Sequence, residues 1–193
     1  MQKSKERLKI LEQSEIDDLY ALPVYTYEDR KHYFALNHNE ELIIKSMRTL
    51  ASKVYFILQL GFFRTKYMFF NFTQDEVYDD IQHILKYTLL ETKLLKNLQV
   101  SKPTRLSQQQ VILNLYGFLA CTQTVKNTLN EKAIFSAQVC SKPIYVFKKL
   151  HNYLESKNIV LPGYTTLQDI VGKALAFERK RLEGLIQKHI TTE

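Results

Sequence analysis

The stretch from Val54 to Phe63 constrains this chain more than any other: about ten apolar residues, broken by Gln59. Upstream, Leu42, Met47, Leu50, Ala51, Val54 and Leu58 recur at helical spacing. A helix over this region is therefore apolar nearly all round from Val54 onward. Such a helix belongs in the middle of a bundle, packed on several sides. It is well short of the ~20 residues a bilayer span requires, so no transmembrane helix is expected. With 193 residues, 45% of them hydrophobic and 24% charged, the chain has material for one globular domain or two small ones. Five Gly and four Pro leave little for a many-stranded β protein.

Helix punctuation points the same way. Six capping residues are followed three positions later by an acid or amide, the pattern that satisfies orphan N–H groups. They are Ser14 with Asp17, Asn37 with Glu40, Thr73 with Glu76, Ser107 with Gln110, Thr128 with Glu131, and Thr166 with Asp169. A seventh start falls at Ser141, where Pro143 sits just inside the helix and loses nothing by lacking an N–H. Pro23–Tyr27 and Met68–Phe72 are short enough to be extended connections. The expectation is an all-α fold, a compact multi-helix domain containing a helix-turn-helix-like three-helix unit.

Charge is unevenly placed. Residues 91–160 carry ten basic and three acidic side chains, whereas the rest carries seventeen of each, so the net +7 falls entirely in that segment. This suggests a neutral N-terminal subdomain, 1–90, and a basic one, 91–193. Three helices are predicted inside the basic segment: Ser107–Tyr116, Thr128–Val139 and Pro143–Ser156. The link Cys140–Lys142 is as short as a helix-turn-helix needs. On the third helix Val146, Phe147, Leu150 and Leu154 form a core stripe, leaving Tyr145, Lys148, Lys149, Asn152 and Ser156 outside. Lysine and asparagine bond guanine and adenine edges, and lysines neutralise phosphates, so this helix is a candidate recognition element, with Lys142 and Lys157 at its ends. Lys102, Thr104, Arg105, Gln108 and Gln109 form a second candidate patch at a helix start, where free N–H groups suit a phosphate.

Other chemistries find little support. Cys121 and Cys140 lack C-x-x-C spacing and read as reduced core residues. His32, His38, His83, His151 and His189 have no ligand spacing, and no phosphate-binding glycine loop or G-x-S-x-G is present. Asp75, Glu76, Asp79 and Asp80 fit the first turns of a helix, where the macrodipole favours acids. Phe56, Phe62, Phe63, Phe69 and Phe70 read as core aromatics. No catalytic, metal or cofactor site is expected. The N-terminus lacks the apolar run of a signal peptide, which suggests a cytoplasmic protein.

Several segments in order resemble the N-terminal region of the Tn-three family of replicative transposases, from about Leu11 to Ala176. They are Leu11–Leu22 before Pro23, Tyr33–Leu36, Leu58–Arg64, Thr104–Arg105 before Ile112 and Gly117–Phe118, and Ile159–Leu167 with its proline-glycine turn and threonine cap. The resemblance implies a helical module that recognises the terminal inverted repeats of a transposon on double-stranded DNA. It further implies as partners the remainder of a transposase or another transposase protomer. That family's three metal-holding acidic residues lie in a nuclease domain much further along a longer chain. The expectation is thus a fragment or truncated product that does not cleave DNA. Arg105 carries over as a DNA contact, and Arg64, following a buried helix, as a structural residue. A second expectation is a protein-interaction or dimerisation module. It would use Ala174, Leu175, Phe177, Leu182, Leu185 and Ile186 on the last helix, beside Arg179, Lys180 and Arg181.

Overall fold

A computed structural model describes residues 8–93 and 95–190 and is all-α. In chain order the helices are α1 (Gln13–Tyr20), α2 (Tyr27–Tyr33), α3 (His38–Ser46), α4 (Leu50–Lys66) and α5 (Tyr78–His83). A π-helical turn, Ile84–Thr88, continues α5. Then come α6 (Lys102–Tyr116), α7 (Gln123–Val139), α8 (Pro143–Ser156) and α9 (Tyr164–Ile190). Among the described residues the only β-type pairing is an isolated parallel bridge, Leu119 with Ile159. His189 lies in a helical stretch whose side chain is outside the described set.

The chain forms two units. One comprises residues 22–117; the other joins residues 1–21 to residues 118–193. A division at residue 90 follows charge, which reports surfaces. The units follow cores, so α6 folds with the neutral half and residues 8–21 with the basic half.

In unit 22–117, α4 is the centre, and α2, α5, the π turn and α6 pack on it. Every residue from Val54 to Phe63 is buried. Gln59, the interruption in the apolar run, is fully buried too. Its amide donates to the Tyr55 hydroxyl (3.0 Å) and the Phe70 carbonyl (2.7 Å), while the Phe70 N–H donates to its Oε1 (3.3 Å). The side chain thus serves both backbone groups of Phe70, so the extended segment after α4 needs no partner strand. Gly61 is required by close packing: an added Cβ would lie 2.4 Å from the ring of Phe34.

At the end of α4, Arg64 spends its guanidinium completely. Nε donates to the Tyr116 hydroxyl (2.7 Å), Nη1 to the carbonyls of Tyr33 and Ala35 (2.6 Å each), and Nη2 to both oxygens of Glu40 (2.8 and 2.7 Å). Tyr116 donates to Glu40 in turn, at 3.1 Å. Burial opposes the Arg64 charge, but the hydrogen bonds it donates to Tyr116 and Glu40 outweigh that and hold its pKa above the ordinary value. Glu40 also closes the α3 capping box expected at Asn37. The acidic cluster is structural as well. The Thr73–Glu76 box forms, but residues 74–77 are a turn and regular helix begins at Tyr78. Asp80 binds Arg30 Nε at 2.6 Å.

In the other unit α9 packs on α7 and α8, and α7 on α8. Leu129, Ala133, Val146, Leu150, Leu167 and Val171 lie at the centre of the core. The N-terminal segment is tied to α9: Gln168 Nε2 donates to the Leu8 carbonyl (2.8 Å), and the Leu11 N–H to the Tyr164 hydroxyl (3.4 Å). The expected three-helix unit is corrected here. The helix containing Ser107–Tyr116 belongs to the other unit, and the third helix beside α7 and α8 is α9.

Several helix starts also shift. The cap pair at α1 is Glu12 with Glu15, and α2 carries an unanticipated box, Thr26 with Asp29. Ser107 and Thr128 lie inside helices capped by Ser101 and Thr122, and Thr166 lies inside α9. The true caps were hidden because position three beyond them is Thr104 and Val125, which cannot complete the reciprocal bond.

Arg64→Leu is expected to destabilise the protein by roughly 3–5 kcal/mol, because it strands a buried carboxylate at Glu40. Denaturant unfolding of the variant measures this directly, and Glu40→Gln on the same background should recover part of the loss.

Candidate nucleic-acid interface

The α7–α8 hairpin carries the basic surface. Its connection is Cys140–Lys142, with Lys142 at the N-cap of α8 and Pro143 in the first turn. Val146, Phe147, Leu150 and Leu154 are buried, as their spacing requires. That burial forces Lys148, Lys149, Asn152 and Ser156 outward, where all four are exposed, with Tyr145 half-buried beside them. Lys142 and Lys157 are exposed at the two ends.

From α7 to Lys157 there are six lysines, Lys126, Lys132, Lys142, Lys148, Lys149 and Lys157, against Glu131 and Glu155. None of the six makes an ion pair among the described residues. Lys9, Lys31 and Lys45 each face a glutamate three or four residues away, while Lys53, Lys86 and Lys102, like the hairpin lysines, have no ion pair among the described residues. Two of the hairpin lysines instead lie over phenol rings. Lys132 Nζ is 4.3 Å from the Tyr153 centroid, linking α7 to α8, and Lys149 Nζ is 5.5 Å from that of Tyr145. A ring face attracts a cation without cancelling its charge, so these lysines are oriented yet still available to an anion. His151 packs on Phe147 and faces Glu155 at 3.5 Å, leaving it outside this surface.

The second patch belongs to unit 22–117, so the two sets do not share a unit. Lys102 is exposed in the first turn of α6. Thr104 is engaged by the cap: its hydroxyl lies 2.8 Å from Ser101 Oγ, which also accepts from its N–H at 3.4 Å. Arg105 is half-buried, with its Nε lacking a hydrogen-bond partner among the described residues. Gln109 is half-buried. Gln108 must be withdrawn as a DNA contact. It is buried, and its amide donates at 3.0 Å to both the carbonyl and the hydroxyl of Ser52 on α4. Because α6 begins at Lys102, Gln108 sits on the helix face turned toward α4.

The remaining expectations can be placed too. Cys121 and Cys140 are free and half-buried, short of full core positions. Burial raises the Cys121 thiol pKa, and Lys126 only partly offsets this. No group of three or more His, Cys, Asp or Glu among the described residues could hold a metal ion. No helix among them is long and apolar enough to cross a membrane. On α9, Ala174 is buried and Leu175 half-buried, whereas Phe177, Leu182, Leu185 and Ile186 are exposed. Arg181 is committed to buried Glu178 through two bonds, at 2.7 and 2.8 Å. Lys132 and Tyr153 were missed in the sequence because their pairing spans two helices.

Residues 10–174 match the family model described as a domain of unknown function, DUF4158. No curated protein matches the chain.

Proposed function

We propose that this chain, which belongs to the DUF4158 family, binds double-stranded DNA through the outer face of its α7–α8 hairpin. The observation that carries this reading is the set of six lysines on one hairpin with no ion-pair partner among the described residues. Lysines held apart from carboxylates keep their field for an external polyanion, and a duplex supplies one negative charge per ~1.7 Å of axis. Lys148 and Lys149 act on phosphates, and Asn152 reads a base edge in the major groove.

The resemblance to the N-terminal region of Tn-three transposases supplies the target: the terminal inverted repeats of a transposon. In this reading the chain works in the bacterial cytoplasm. It recognises DNA for a transposase and leaves strand cleavage to a separate nuclease domain. Lys102 and Arg105 are assigned a supporting contact of their own.

Neutralising Lys148 and Lys149 together is expected to weaken binding to every sequence. It should make log affinity against log salt shallower, by up to about two units if both touch phosphate. An unchanged slope removes them from the interface. Asn152→Ala is expected to relax preference at one base pair by about 1–3 kcal/mol; equal losses on specific and scrambled duplexes contradict that role.

The exposed apolar side chains of α9 support a second reading, a module that docks another protomer. Self-association that is unaffected by duplex and lost in Leu185→Asp, seen by sedimentation, would favour it.

A further inference from the structure

Unit 22–117 contains a recess of about 570 Å³, a size that suits a small ligand. Lys31 of α2, Glu41 and Lys45 of α3, Lys53 of α4, and His83 and Tyr87 from α5 and the π turn line it. Its cations outnumber its acids. Lys53 has no ion pair among the described residues. Lys45 lies 3.8 Å from Glu41, and Lys31 lies 3.1 Å from Glu28. Both pairs are exposed, so they contribute little and yield readily to a ligand carrying more charge.

Lys31 acts as a secondary influence on two side chains of the lining. His83 is buried and has its pKa lowered, first by burial and then by Arg30 and Lys31. The Tyr87 hydroxyl is held below the usual phenol value by hydrogen bonds from Lys86 and Tyr27, with Lys31 adding to the effect. Tyr87 is also half exposed and packs against His83 with ring centroids 4.9 Å apart.

The rest of the lining is Ala35, Leu36, Ile44, Thr88 and Leu89, apolar but for the threonine. Tyr87, Thr88 and Leu89, at the end of the π turn, all border the recess, and π turns recur at functional sites. Compact ammonium groups suit a phosphate, which offers several acceptors and more than one charge. A phenol beside an apolar floor suits the face of a base.

We infer that this recess binds a nucleotide phosphate, with the phosphate among Lys31, Lys45 and Lys53 and the base against Tyr87 and the apolar floor. The inference concerns a different unit from the α7–α8 surface and does not depend on duplex binding there. The phosphate can come from a free nucleotide or from the terminal nucleotide of a DNA strand, which present the same group.

The full chain is titrated with adenosine 5′-monophosphate and with adenosine, following the ring resonances of His83 and Tyr87. The expected result is saturable binding of the monophosphate that shifts both rings, with adenosine at least about tenfold weaker. The double variant Lys45→Gln, Lys53→Gln should lose about tenfold or more for the monophosphate while melting like the parent, since Lys45 is exposed, Lys53 is only half-buried and neither substitution adds a charge. Tyr87→Leu should weaken both ligands alike. A duplex with 5′-phosphates that displaces the monophosphate, when its 5′-hydroxyl counterpart does not, identifies the strand end as the source. Failure of both duplexes to compete identifies the free nucleotide. Absence of binding, equal affinity for adenosine, or undiminished binding by the double lysine variant overturns the inference.

Discussion

The structure of residues 22–117 depends on burying α4 on every side. A helix so apolar can be solvated nowhere, so its neighbours must close round it, and every polar group it carries must find a partner inside. Gln59 and Arg64 show how this is done. Gln59 turns its amide into a substitute strand for Phe70. Arg64 joins the end of α4 to the carbonyls after α2, to Glu40 on α3 and to the last residue of α6. One charged side chain thereby fixes four segments, and its exit from water is repaid by five hydrogen bonds. Glu40 is committed equally, to Arg64, Tyr116 and the Asn37 N–H.

The basic unit solves a different problem. Its helices α7 and α8 have one buried stripe each, so their outer faces are free to carry charge. Val146, Phe147, Leu150 and Leu154 fix the rotation of α8 and thereby decide which side chains look outward. The bridge between Leu119 and Ile159 pins the segment leading into α7 beside the end of α8, through bonds of 2.8 and 3.0 Å. A rigid frame under Lys148, Lys149 and Asn152 is what allows lysines and an amide to act as a defined surface instead of a diffuse cloud of charge.

Much of this was legible from local pattern. The centrality of Val54–Phe63, the core stripe of α8, the tight α7–α8 link and the capping role of Asn37 all follow from spacing within one element. What was not legible involved contacts between elements. Gln108 reads as a surface glutamine, and only its proximity to Ser52 on α4 shows it to be a buried tie. Asp80 reads as a macrodipole acid, yet its main partner is Arg30, distant in sequence. The helix starts at Ser101 and Thr122 lack the reciprocal acid, so their caps carry only half of the usual signal. The charge asymmetry divides the chain at residue 90, whereas the compact units are residues 22–117 and residues 118–193 with the N-terminal segment, because surface charge does not record which cores are shared.

The most direct test of the account is lysine-reactivity footprinting of the full chain, with and without duplex DNA at low salt. The account predicts protection concentrated at Lys132, Lys142, Lys148, Lys149 and Lys157, with Lys31 and Lys45 unchanged when the duplex ends carry no phosphate. Uniform protection across all lysines, or none on the α7–α8 hairpin, would contradict it.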